Sequence, residues 1–212
     1  MKSSVPILLA ALLVTGCSGN NKPVGGEAAK PAPAEPAVRP TESLLGRAAF
    51  QKTFIAARGW QRDAEPYLEI SQPTKEVSGG DGKAAVWTAS YGSPDRGLAK
   101  TFTWSGTDAP DAPARGLNPT PEDSFAPGNS STHTFDLAYL KTDSDQALKI
   151  AQDHGGKKLL DKNPKLPVFY RLHWESRDTA LVWHVMYGGR GGDSKLSVAV
   201  NASTGQYMRV ER

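Results

Sequence analysis

Residues 168–187 read VFYRLHWESRDTALVWHVMY, two alternating segments on either side of the polar turn Ser176-Arg177-Asp178. A period of two is the mark of a strand with one dry and one wet face. Pairing 168–175 with 179–187 as a hairpin sets Tyr170, Leu172 and Trp174 against Leu181, Trp183 and Val185. That apolar face is expected to meet a helix. The opposite face carries Arg171, His173, Val182 and His184, a mixture suited to the partly wet side of an antiparallel sheet.

The second strand of this hairpin has a counterpart upstream. Leu181-Val182-Trp183-His184-Val185-Met186-Tyr187-Gly188 matches Ala85-Val86-Trp87-Thr88-Ala89-Ser90-Tyr91-Gly92 at a constant offset of 96, with Trp, Tyr and Gly in register. Each match leads through a Gly-containing turn into another alternating segment, 98–104 in the first block and 195–201 in the second. Each block also begins with a helical pattern. In the first, Thr41 reads as a cap and Phe50, Phe54 and Ala57 recur at i, i+4, i+7 until Gly59. In the second, Thr142 and Asp145 resemble a capping box, Ala147, Leu148, Ile150 and Ala151 form the apolar stripe, and Gly155-Gly156 mark the stop.

The order helix, then three strands, therefore occurs twice. It predicts an α+β fold of two tandem lobes, each one helix packed on a three- to four-stranded antiparallel sheet, after a disordered N-terminal tether. The first lobe spans 43–106, a Pro-rich connection 107–132, and the second lobe 133–212. Units this small bury only about 60 % of their extended surface, so the lobes are expected to pack on one another.

Met1-Lys2 followed by the apolar run Val5 to Val14 has the plan of a secretory signal over residues 1–16. It is far short of the roughly 20 residues a helix needs to cross a bilayer. The run ends Leu13-Val14-Thr15-Gly16-Cys17, which resembles the bacterial lipobox, and Cys17 is the single cysteine of the chain. The resemblance implies diacylation of the Cys17 sulfur, cleavage before it and acylation of the new amine. Several acyl chains then give a stable membrane anchor where one chain would bind only marginally. Ser18 after the cysteine resembles the outer-membrane sorting pattern, which places the body of the protein facing the periplasm. Residues 17–42 contain five Pro and no aromatic side chain, a composition that buries too little surface to fold and reads as the tether.

The chain has 212 residues, with 25 Lys plus Arg against 22 Asp plus Glu. The basic residues are scattered, so no nucleic-acid footprint is expected. One cysteine excludes an internal disulfide framework and a Cys-based zinc site. His133, His154, His173 and His184 form no HExxH motif. His173 and His184 stand on neighbouring strands without an evident third ligand, and read as half-exposed strand histidines. Gly188 to Asp193 lacks a phosphate-loop ending and reads as a hairpin loop, and Asp143-Ser144-Asp145 reads as a helix cap. Asp108 and Asp111 lie in the Pro-rich connection, a poor place to tune an acid and base. Trp87, Trp104, Trp174 and Trp183 read as strand packing. No GxSxG motif occurs. The sequence thus predicts no catalytic residue, no metal ligand and no cofactor, and it assigns no ligand-binding residue.

The C-terminal run Trp183 to Tyr187, then 195–206 ending Asn201-Ala202-Ser203-Thr204-Gly205-Gln206, resembles the PepSY domain family, with Asn201 where Asp is usual. The likeness covers about 137–212, and the first block would be a degenerate copy ending Trp104-Ser105-Gly106-Thr107. What it implies is a small noncatalytic module found in peptidase propeptides and envelope proteins. The expected function is a non-enzymatic envelope lipoprotein, held to the membrane through acyl chains on Cys17, that binds an envelope protein or peptide and restrains a peptidase. The alternative is a small-ligand or metal-sensing envelope module that uses a cleft between the lobes and the wet face near Arg171, His173 and His184.

Overall fold

The structure is a computed structural model and describes residues 39–211. The expected signal, Cys17 and the expected tether up to Val38 lie outside the described residues. In chain order the elements are β1 (Leu44–Leu45), α1 (Gly46–Trp60), β2 (Glu65–Gln72), β3 (Lys83–Ala84), β4 (Val86–Ser93), β5 (Leu98–Ser105), β6 (Gly116–Pro119) and β7 (Asp123–Ser124). Then follow α2 (Ser144–Ala151), α3 (Lys157–Lys162), β8 (Val168–Glu175), β9 (Ala180–Tyr187), β10 (Leu196–Asn201) and β11 (Tyr207–Glu211).

The α+β reading holds, and each half is helix on antiparallel sheet. The halves share one sheet of nine strands, ordered β11-β10-β9-β8-β2-β4-β5-β6, with β7 also on β5. The seam is the antiparallel pair β2 and β8, where Leu68 faces His173, Glu69 faces Leu172 and Ile70 faces Arg171. A strand ladder therefore runs where the sequence suggested a cleft between lobes. The hairpin register is the expected one: Tyr170 opposes Val185, Leu172 opposes Trp183 and Trp174 opposes Leu181.

The repeat is visible in hydrogen bonds. Trp87 Nε1–H donates to the carbonyl of Leu44 at 2.9 Å, and Trp183 Nε1–H donates to that of Thr142 at 2.9 Å. Each acceptor lies two residues ahead of the helix of its own half. The two indoles meet edge to face, with centroids 6.3 Å apart. The helix starts meet as well, since the Gly46 amide donates to Ser144 Oγ at 2.9 Å and the Arg47 amide to Asp143 Oδ1 at 3.0 Å. Gly46 is required there because a Cβ would lie 2.7 Å from the Trp183 ring.

One core lies under both helices, with Phe50 and Ala57 of α1 and Leu148 and Ala151 of α2 packed over Trp87, Tyr91, Tyr170, Leu172, Trp183 and Tyr187. Burying each such large side chain contributes about 1.5–3 kcal/mol. Glu69 is also in this core, fully buried, and its carboxylate oxygens have no hydrogen-bond partner. Burial, and then the nearby Asp143 charge, push its pKa well above the ordinary value.

Four details depart from expectation. Thr41 does not cap α1, because its hydroxyl bonds Glu76 and Thr107, and α1 runs one residue past Gly59. The capping box of α2 is formed by Asp143 and Gln146, one residue along from the predicted pair. Gly155 adopts φ +111° in a π-turn, and the chain then continues as α3, so the paired glycines kink the helix without ending it. The Pro-rich connection supplies β6 and β7 to the edge of the sheet and buries Phe125.

Candidate functional site

Helices cover one face of the sheet, and the other face divides by chemistry. On β4 and β5 it presents hydroxyls that satisfy one another: Thr88 Oγ1 to Thr103 Oγ1 at 2.9 Å and Ser90 Oγ to Thr101 Oγ1 at 2.8 Å. On β8 to β11 it presents imidazoles, carboxylates and guanidiniums. Between the seam and β11 lies a groove of about 780 Å³, lined on its apolar side by Leu68, Ile70, Phe169 and Met186.

Strand geometry positions the charged cluster. His173 and Glu175 are two residues apart on β8 and so share a face. His184 on β9 lies opposite Arg171, diagonal to His173. On β11, Glu211 opposes Ser197 and Arg209 opposes Ala199, which brings both C-terminal side chains back over β9 and β10. His184 is buried, against the half-exposed position expected, and His173 is half-buried.

The contacts are short and directional. His173 Nε2 lies 3.0 Å from His184 Nε2, and His184 Nε2 lies 3.2 Å from Glu175 Oε1. His184 Nδ1 is 2.7 Å from Glu211 Oε2, which also accepts from Ser197 Oγ at 3.0 Å. Arg209 bonds Glu175 Oε2 at 2.5 Å, Asp178 Oδ2 at 2.6 Å and Glu211 Oε1 at 2.9 Å, and Arg177 reaches Glu175 Oε2 at 3.1 Å. Burial, then the neighbouring His184 and Arg171, hold the pKa of His173 down to about 4. The hydrogen bond from His184, helped by Ser197 and Arg209, holds that of Glu211 down to about 2.

Among the described residues, Arg171 and Arg190 on this face lack such pairing. Arg171 is exposed and has no carboxylate partner among the described residues. Arg190, from the Gly-rich turn after β9, donates to the Ser71 carbonyl at 3.0 Å and lies over the Phe169 ring at 5.0 Å.

The other residues singled out in the sequence have structural partners. His133 stacks on Trp174 and His154 on Tyr207. Asp108 pairs with Arg39 and Arg115, and Asp143 caps α2. Trp87, Trp104 and Trp183 are buried. Sequence reading missed Glu175, Arg209 and Glu211 as parts of one cluster. For Glu175 the signal was present, since His-x-Glu on a strand puts both side chains on one face.

No protein-family model matches the chain, and no curated protein matches it. The fold is similar to the crystal structure of a Clostridium difficile 630 protein provisionally assigned as a lipoprotein. The TM-score is 0.50 at 12 % identity, over 77 % of this chain and 91 % of that one. At that identity the likeness is one of fold. Among the described residues no helix is long and apolar enough to cross a membrane.

Proposed function

We propose that this chain is a bacterial envelope lipoprotein, anchored by acyl chains on Cys17 with its body facing the periplasm, that binds an extended acidic peptide segment of a partner protein without catalysing a reaction. The observation that carries this reading is the pair of unneutralised guanidiniums, Arg171 and Arg190, beside the apolar wall of Phe169 and Met186. A groove with that lining favours a strand-like ligand that places carboxylates on the cations and aliphatic groups on the wall. The lipobox-like residues 13–17 and the lipoprotein assignment of the C. difficile protein support the anchor. The PepSY-like ending supports a noncatalytic role, and a restrained peptidase is the partner that resemblance implies.

The test uses the full chain in detergent and a displayed library of random extended peptides. Enrichment of sequences that alternate Asp or Glu with aliphatic residues is expected. Binding should weaken at least tenfold in Arg171→Glu/Arg190→Glu and fall with salt. Peptides indifferent to the charge reversal would overturn the groove reading. Cys17→Ala is expected to leave the membrane fraction and to lose labelled palmitate, and a variant that stays anchored would overturn the lipoprotein reading.

A further inference from the structure

We propose that His173 Nε2, His184 Nε2 and Glu175 Oε1 form a binding site for one divalent transition-metal ion of the zinc type, with its fourth position open to the groove. The three atoms all lie within 4.8 Å of one another. Two of the separations, 3.0 Å and 3.2 Å, are close to the edge of a zinc-sized tetrahedron, which is about 3.3 Å for bonds near 2.0–2.1 Å.

The hydrogen bonds around the cluster explain why a cation belongs there. His184 Nδ1 faces Glu211 and His173 Nδ1 faces the Trp174 carbonyl at 3.2 Å, and both partners accept hydrogen bonds. In the neutral imidazoles the ring proton therefore sits on Nδ1, and Nε2 carries the lone pair. Glu175 Oε2 is occupied by Arg209 and Arg177, which leaves Oε1 as its free acceptor. Three lone pairs thus converge with no donor among them, and the centre needs a proton or a metal ion. The surrounding ion network places three carboxylates, Glu175, Asp178 and Glu211, on two guanidiniums, Arg177 and Arg209. Arg171 is the remaining cation on that flank and points to solvent.

The outer contacts are those of a built metal site. A histidine ligand whose second nitrogen donates to a carboxylate is fixed in tautomer and orientation and made more basic. Glu211 does this for His184, and Ser197 in turn holds Glu211. Two imidazoles and one carboxylate suit zinc and its first-row neighbours and are too nitrogen-rich for calcium or magnesium. With three protein ligands, the remaining position falls to water or to a carboxylate from whatever occupies the groove. The site stands whether or not a peptide binds there.

The experiment takes the full chain without a polyhistidine tag, stripped of metal by chelator and titrated with ZnCl2 and then with CoCl2. One equivalent of Zn2+ is expected to bind at micromolar concentration and raise the Tm, and Co2+ is expected to give the visible absorption of a four-coordinate ion. Glu211→Gln should weaken binding about 10–100-fold. His173→Ala should weaken it further, and His154→Ala should leave it unchanged. Because His184 is buried, His173→Ala is the decisive variant, compared at matched circular dichroism in the metal-free state. Absence of binding by the parent, or an equivalent retained by a folded His173→Ala, would overturn the proposal.

Discussion

On the dry side of the sheet, Trp87 and Trp183 make the same hydrogen bond to the chain ahead of their helices, with the same length. On the open side, Thr88 of one half corresponds to His184 of the other at the offset of 96, and the hydroxyls of Thr88, Ser90, Thr101 and Thr103 contrast with the cluster of His173, Glu175, His184 and Glu211. Packing fixes the dry face, since an indole that fills a core has few substitutes. The open face is under no such constraint. In the first half the hydroxyls pair with one another, whereas in the second three carboxylates, Glu175, Asp178 and Glu211, share two guanidiniums. The asymmetry places the cluster of imidazoles, carboxylates and guanidiniums in the second half.

The comparison is most exposed at the tryptophans. Trp87→Ala and Trp183→Ala should each cost about 3–5 kcal/mol, through the cavity and the lost indole hydrogen bond. Urea unfolding followed by circular dichroism and by tyrosine fluorescence should remain a single transition in both variants. Two transitions would mean that the β2–β8 seam does not unite the halves.

A smaller effect of opposite sign is expected at the seam itself, where Glu69 faces Leu172 and both are fully buried. Glu69→Leu makes the two sides alike and should stabilise the fold by about 1–3 kcal/mol at neutral pH, because an unpaired buried carboxyl is removed. The pH dependence has a definite sign. The folded-state pKa of Glu69 lies well above the ordinary 4.5, so above pH 4.5 the unfolded chain ionises while the folded one keeps its proton. Its contribution to stability therefore falls as pH rises. Denaturant midpoints between pH 4.5 and 7 should decline less steeply in Glu69→Leu, and equal slopes would show that the carboxyl finds a partner.

The smallest effects separate the two open faces. Glu211, held down to about 2, contributes stability that is complete above the ordinary 4.5 and is lost as pH falls towards 2. Its partial exposure keeps that contribution below about 1 kcal/mol. Glu211→Gln should flatten the acid limb of a midpoint profile. Thr88→Val should cost less than about 1 kcal/mol and leave that limb as in the parent. Matching limbs in the parent and Glu211→Gln would remove the electrostatic distinction between the faces.

The hairpin 168–187 was legible because alternation and a short polar turn fix register locally, and the offset of 96 was legible because Trp and Tyr are rare enough to align. The β2–β8 seam was not, since a pairing between residues a hundred positions apart leaves no periodic trace. Glu211 escaped for a related reason. Its place beside His184 depends on a β-bulge between Ala199 and Val200 in the β10–β11 pair, which shifts register by an amount that sequence does not display. Gly155-Gly156 read as a stop because glycine at positive φ usually ends a helix, and Lys157–Lys162 resume it once the kink is passed. Turn-forming prolines masked the edge strand 116–119, whose Pro119 sits at its end.

The seam also sets a schedule. Synthesis proceeds from the N-terminus, so α1, β2, β4 and β5 are complete at Ser105 while β8, Val168–Glu175, is still about 60–70 residues away. At about 5–20 residues per second that interval is on the order of 3–14 s. Through it β2 is a bare edge carrying Leu68 and Ile70, free to pair with the wrong strand. A nascent chain halted near Ser105 therefore exposes a strand edge whose mate, β8, has still to be made.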